Sequence, residues 1–401
     1  LRLHVDTEAY RSSVHGRAGV GCVGCHESYN SGPHGRITAQ DRRDYSIQSY
    51  TRCRGCHVQQ YTGVQDSMHA QALAWGNRNA PICIDCHSAH DVSSAHEPRS
   101  RISNTCGRCH STIVAQYKES VHGAALMADG NPDVPTCSDC HGVHGIHDPR
   151  TAEFRLKSPD ICARCHADPA RMGKYGITAD VYDTYVADFH GTTVELFSRQ
   201  SPDAPSNKAV CYDCHGGQDI RSVNDPQSHV IKANLVKTCQ RCHPGADVSF
   251  IGAWIGHYRP SPEHNPITYY VELFYRLAIP GILGFMLVLV LLDAQKRIRR
   301  RREAKAHAPA ASDRVFPRFT RLNRVEHWLM VVSFTMLAVT GLPQKFAGHP
   351  IAEGTISFFG GIEMVRVLHH LFAVLLVLET VLHLITVSYK ILVRRVPLSM
   401  L

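Results

Sequence analysis

The sequence predicts a mainly α-helical chain with much loop, in which a polar, cysteine-rich part precedes a part that spans a membrane. Three observations carry this expectation. All 16 cysteines of the 401 residues fall in eight Cys-x-x-Cys-His pentapeptides, with none left over. The stretch that holds them has few long apolar runs and many Gly, Pro, Ser and Asp residues. After Pro266 the composition turns apolar, in three stretches long enough to cross a bilayer.

The pentapeptides are Cys22, Cys25, His26; Cys53, Cys56, His57; Cys83, Cys86, His87; Cys106, Cys109, His110; Cys137, Cys140, His141; Cys162, Cys165, His166; Cys211, Cys214, His215; and Cys239, Cys242, His243. Their chemistry is that of c-type haem attachment. Two thiols add across the two vinyl groups of one porphyrin, and the adjacent histidine binds the iron. Zinc sites pair their Cys-x-x-Cys units and need no histidine after each, and disulfide frameworks do not repeat one pentapeptide. Eight haem c groups are therefore expected, with the eight motif histidines as proximal iron ligands. Such a polar chain buries little by itself, so the haems are expected to form the core of a multihaem cytochrome c domain over residues 1–266. Haem is attached in this way outside the cytoplasm, which places that domain on the periplasmic, extracytoplasmic side. Leu1 follows no visible signal peptide, as expected if one was removed or if the chain extends further. The formal charge of +8 omits the haem propionates, so it does not point to an acidic partner, and no nucleic-acid partner is expected.

An internal repeat assigns the second iron ligands. His69 follows Cys53, and His122 follows Cys106, by the same interval, in Asp-Ser-Met-His and Glu-Ser-Val-His. Each precedes a second pentapeptide that runs on as Cys-x-Asp-Cys-His-x-x-His, giving His90 and His144. The unit is a two-haem module. A third copy, stretched by an insertion, runs from Cys162 to His215 with His190, and a partial copy opens the chain with His15. Distal ligands are thus expected at His15, His69, His90, His122, His144 and His190, with His229 and His257 completing eight and His34, His96, His147 and His264 in reserve. In the third copy Gln218 stands where His90 and His144 stand. The haem at Cys211 is then expected to take its ligand elsewhere, from His229, or to keep an open position.

Residues 267–295 are expected to form the first transmembrane helix, with an aromatic collar at Tyr269, Tyr270, Phe274 and Tyr275. Residues 296–320 form a basic linker, and the positive-inside rule puts it in the cytoplasm. Residues 321–401 hold two further spans, over 325–342 and 364–393. Ionisable residues within spans are functional by default. His369 and His383 share one face of one helix at 100° per residue, about 21 Å apart along its axis at 1.5 Å rise. That spacing suits b-type haem near each membrane surface. His327 stands level with His383, and the two could clamp one haem b. A further spanning helix is expected beyond Leu401, supplying the second ligand of the outer haem.

The stretch from Phe319 to Arg395 resembles the cytochrome b subunits of formate dehydrogenases and nickel-iron hydrogenases. The resemblance rests on Arg321-x-x-Arg324-x-Glu326-His327-Trp328, Thr340-Gly341 and Arg366-Val-Leu-His369. Together with the pentapeptide part, the chain resembles the cytochrome c/cytochrome b fusion proteins of anaerobic bacteria. The resemblance implies a transmembrane helical cytochrome b domain with one or two haem b groups and a quinone site lined by the helix of His327, where Glu326 is a candidate for handling the quinol proton. It implies an inner-membrane electron conduit between the quinone pool and periplasmic or extracellular donors or acceptors, acting as a quinol:cytochrome c-type oxidoreductase together with other subunits of a membrane complex; no catalytic side chain is expected. Two alternatives stand beside it. One is a redox subunit of a larger respiratory or photosynthetic complex, without activity alone. The other is a multihaem reductase of a small oxyanion.

Overall fold

The computed structural model describes residues 5–26, 37–94, 97–200, 202, 205, 207–252, 256–306, 321–346 and 349–395. Among them there are helices and loops and no strand, the class the composition predicts. The chain divides into two compact units, one of Leu1–Tyr182 and Ser201–Trp254, the other of Asp183–Gln200 and Ile255–Leu401. The division does not fall at Pro266. A segment between the sixth and seventh pentapeptides folds with the apolar helices instead.

The first unit is assembled from short, capped helices. Cys83–His87, Cys137–His141 and Cys211–His215 are each little more than one turn long. Their third residue is Asp85, Asp139 or Asp213. Its carboxylate accepts the main-chain N–H of Ile82 (2.7 Å), Thr136 (2.6 Å) or Val210 (2.8 Å), which satisfies an N–H at the helix entrance. An arginine reaches the same carboxylate: Arg43 to Asp85 at 2.8 Å, Arg99 to Asp139 at 2.9 Å and Arg155 to Asp213 at 2.6 Å. Each arginine also donates to a main-chain carbonyl just upstream, that of Ala80, Pro132 or Lys208. The three arginines are equally spaced along the sequence, a regularity that a search for cysteines and histidines passes over. Behind the motif the chain turns at positive φ, 83° at Gly142 and 86° at Gly216, where glycine carries no Cβ penalty.

The Ser-x-His turns are built alike. Buried Ser13, Ser67 and Ser120 accept the N–H of Gly16 (3.0 Å), Ala70 (3.2 Å) and Gly123 (3.0 Å), as N-cap residues do. The following residue then donates its main-chain N–H to a distant loop: Val14 to the Val92 carbonyl (2.8 Å), Met68 to Ile146 (2.9 Å) and Val121 to Ile220 (2.9 Å). Each acceptor lies two residues beyond the position occupied by His90, His144 or Gln218. One module is thereby laced to the loop of a later one.

In the second unit, Pro266–Ala306, Arg321–Lys345 and Ile362–Leu392 are long helices, each with an apolar window sufficient to cross a membrane. The first continues into the basic run, so part of the expected linker is helical; residues 307–320 lie outside the described residues. The last two pack along each other. Lys390 donates to Asn323 at one end, and Thr340 meets His369 towards the other. Helix Phe189–Gln200 packs on this unit through Leu196, which joins Ile356, Ile362 and Val365 in a buried cluster flanked by Phe197 and Phe359. Burying each such aliphatic side chain is worth about 1.5–3 kcal/mol. Arg199 pairs with Glu195 and Glu353, and Arg366 donates to Thr193 Oγ1 at 3.0 Å. The apparent insertion in the third module is therefore an amphipathic element with its own packing partner.

Arg155 and Lys157 lie on one helix but differ in surroundings. The Arg155–Asp213 pair is mostly buried, at 24% and 29% side-chain exposure, whereas Lys157–Glu153 is exposed. Arg155→Ala is expected to destabilise the haem-loaded protein by about 1–3 kcal/mol, and Lys157→Ala by about 0.5 kcal/mol or less. Denaturant unfolding followed by the Soret band checks both.

Candidate functional site

The structure sets five pairs of imidazoles opposite each other. His15 faces His57 with ring centroids 5.9 Å apart, His26 faces His90 at 6.2 Å, and His69 faces His110 at 6.2 Å. His87 faces His144 at 6.2 Å, and His122 faces His166 at 6.1 Å. A metal–imidazole bond of about 2 Å puts the ring centroid about 3 Å from the ion, so rings on opposite sides of one iron stand about 6 Å apart. The donor sets therefore fit a haem iron between each pair. Burial pushes the imidazoles of His26, His69, His87, His122, His144 and His166 down, that of His122 to about 4. A lowered value keeps the ring neutral, the form that binds a metal.

The pairing follows a rule. A Ser-x-His histidine faces a pentapeptide one beyond its nearest downstream neighbour: His15 passes Cys22 to reach the motif of Cys53, and His69 passes Cys83 to reach that of Cys106. A His-x-x-His histidine faces the motif two before its own, as His90 does with His26 and His144 with His87. Gln218 obeys the same rule. Its side-chain amide nitrogen lies 3.4 Å from His141 Nε2. The glutamine thus stands opposite the fifth pentapeptide, at Cys137, rather than marking the one at Cys211 as the repeat alone suggests. His229 is engaged on both ring nitrogens, by Asp219 at 3.2 Å and Arg241 at 3.2 Å.

His190 lies in the second unit, 3.5 Å from Asp188 through Nδ1. His257 meets Thr184 Oγ1 at 3.5 Å, and His264 stacks on Tyr258 at 4.9 Å. His147 is exposed, while His34 and His96 lie outside the described residues. The turn that carries His15, His122 and His190 demands glycine next in line. A Cβ at Gly16, Gly123 or Gly191 would overlap the carbonyl oxygen of Tyr10, Tyr117 or Tyr185.

Cysteines of successive pentapeptides influence one another's ionisation. The thiols of Cys83, Cys106 and Cys162 hold those of Cys53, Cys137 and Cys211 down. Between these, other cysteines act at the alternate junctions. After burial, the thiols of Cys53 and Cys56 push that of Cys25 up. Burial, Asp85 and then Cys109 push Cys86 up, against Arg108. Burial and then Cys162 raise Cys140 to about 11, and burial, Asp213 and Cys239 raise Cys214 to about 11. These influences link the cysteines of each motif with those of the next, and no disulfide joins any of the 16 cysteines.

On the second unit, His369 Nδ1 lies 2.8 Å from Thr340 Oγ1, whose hydroxyl also reaches the Met336 carbonyl at 2.6 Å. The hydroxyl donates to the carbonyl and accepts from Nδ1–H, which directs Nε2 outward as the nitrogen available to a metal. Gly341 permits the approach, since a Cβ there would stand 3.0 Å from His369 Cε1. His383 Nδ1 lies 3.4 Å from Glu326 Oε2, and Thr386 donates to Glu326 Oε1 at 3.2 Å. Glu326 is buried, whereas His327 and His370 are exposed. The Glu326 carboxylate is thus a partner of His383. His349 caps a helix, accepting the Ile351 N–H at 3.3 Å.

Residues 129–171, which contain the pentapeptides of Cys137 and Cys162, match the family model of the doubled CXXCH motif. No solved structure matches the chain. The doubled motif indicates a multihaem c-type cytochrome with covalently bound haem.

Gly123→Ala is expected to destabilise the loaded protein by about 1–3 kcal/mol through the forced shift of the turn. Gly173→Ala, which meets nothing within 4 Å, is expected to stay within about 0.5 kcal/mol. Thermal unfolding of the two variants side by side checks the contrast.

Proposed function

We propose that this chain is an electron conduit of the cytoplasmic membrane, linking the quinone pool to redox partners on the extracytoplasmic side. Eight haem c groups at the pentapeptides and one or two haem b groups at the spanning helices would carry the electrons. The observation that supports it most is the five pairs of facing imidazoles, each with the separation that suits a haem iron between them. Haem bound there supplies a one-electron iron couple.

The residues of the chain account for the rest. Two facing imidazoles would hold each iron at those five centres, keeping the ligand set unchanged by oxidation state and leaving no site for substrate there. That arrangement favours passage of electrons over chemistry on a bound molecule. Within the membrane part, Thr340 and Glu326 each hold one histidine of the last spanning helix by its Nδ1, at two depths. Fixing the tautomer and the ring orientation in this way is what a metal-binding histidine needs. His327 is the proposed partner of His383, and the exposed side of Arg321–Lys345 is where a quinol would approach. The basic ends of the spans face the cytoplasm by the positive-inside rule, which leaves the pentapeptide part outside. A second reading, a redox subunit of a larger complex, draws on the first spanning helix, whose apolar window is exposed throughout.

In membranes, a quinol analogue is expected to reduce a b-type absorbance band and then the c-type bands. His383→Leu and His369→Leu are expected to diminish the b band and slow quinol-driven reduction of the c bands at least tenfold, while the dithionite-reducible c absorbance stays. Quinol reducing the c bands of both variants at the original rate would rule out this path.

A further inference from the structure

Five of the eight motif histidines face another imidazole, but His141 faces the amide of Gln218. Three observations make this a property of the fold. First, Gln218 is placed by the same main-chain bond that places the histidines. Val121 to Ile220 repeats Val14 to Val92 and Met68 to Ile146, so residue 218 occupies the ligand position of residues 90 and 144. Second, the amide is brought within 3.4 Å of His141 Nε2, on the side from which a second imidazole would otherwise come. Third, among the described residues no histidine ring pairs with His141. The ring beside it is Phe154, stacked at 5.6 Å and tilted by only 8°, and His229 is held by Asp219 and Arg241.

An amide is a weak, neutral donor and does not form the strong axial bond of an imidazole. Its N–H₂ group can instead donate a hydrogen bond to a ligand on the iron, and distal polarity and hydrogen-bond donors decide whether a haem binds such a ligand. We infer that the haem attached at Cys137 and Cys140 is exchangeable, taking a small diatomic π-acceptor such as carbon monoxide or nitric oxide on the Gln218 side. The inference rests on the haem attachment proposed above. Binding adds one coordination bond to ferrous iron and displaces at most a water or the amide, with no net oxidation or reduction. The effect of the glutamine is local, because the motifs on either side keep their facing imidazoles.

The test uses the full-length, dithionite-reduced protein titrated with carbon monoxide, with haem counted by mass and by pyridine haemochrome. The haem at Cys137 is expected to contribute about one eighth of the c-type Soret absorbance to the shifted fraction, one centre of the eight motifs. Gln218→His is expected to remove that contribution. His144→Gln recreates the same arrangement opposite His87 and is expected to add an equal one. This second variant decides the matter even if Gln218→His fails to load haem. Eight haems with no reactive fraction, or a fraction unmoved by both substitutions, would overturn the inference and leave the electron-transfer proposal intact. A count below eight with no haem on Cys137 and Cys140 would instead overturn the proposal beneath it.

Discussion

Main-chain hydrogen bonds from Val14 to Val92, Met68 to Ile146 and Val121 to Ile220 control which groups in the haem unit meet. A polar chain with short helices has little side-chain core to define its register. These three bonds define it by tying a serine-capped turn in one module to the loop that ends a later one. Each histidine lies next to such a bond, so its ring is carried to a fixed place. The aspartate–arginine clamps do the corresponding work for the pentapeptides. They hold the entrance of each short helix against the helix that leads into the preceding motif. Backbone lacing and charged clamps thus set the frame, and the iron–imidazole bonds would close it.

Much of this was legible in the sequence, for chemical reasons. Covalent haem attachment requires one fixed pentapeptide, so its signature survives in any surroundings. The Ser-Val-His-Gly turn is legible because the hydroxyl must cap the helix and the glycine must clear the carbonyl of Tyr10 or Tyr117. The helical period likewise puts His369 and His383 on the face that meets Arg321–Lys345.

What stayed hidden was the assignment of partners over long range. His-x-x-His looks like a local unit, yet His144 faces His87 of the motif of Cys83, and Gln218 likewise stands opposite the motif of Cys137 rather than its own at Cys211. Arg43, Arg99 and Arg155 form a perfect series but carry no chemistry that a search for metal ligands would notice. The sequence places Glu326 next to His327, and only the fold brings its carboxylate to His383 and Thr386. The stretch Phe189–Gln200 reads as slack in the third module, although Thr193, Leu196 and Phe197, at i, i+3 and i+4, share one face of a helix.

That helix bears on how the protein can be taken apart. Because Asp183–Gln200 belongs with the apolar helices while the residues on both sides belong with the haem unit, no single cut in the polypeptide yields a water-soluble cytochrome and a separate anchor. A truncation before Ile255 would keep Leu196 and Phe197 but discard Ile356, Ile362 and Val365, leaving a greasy stripe in water.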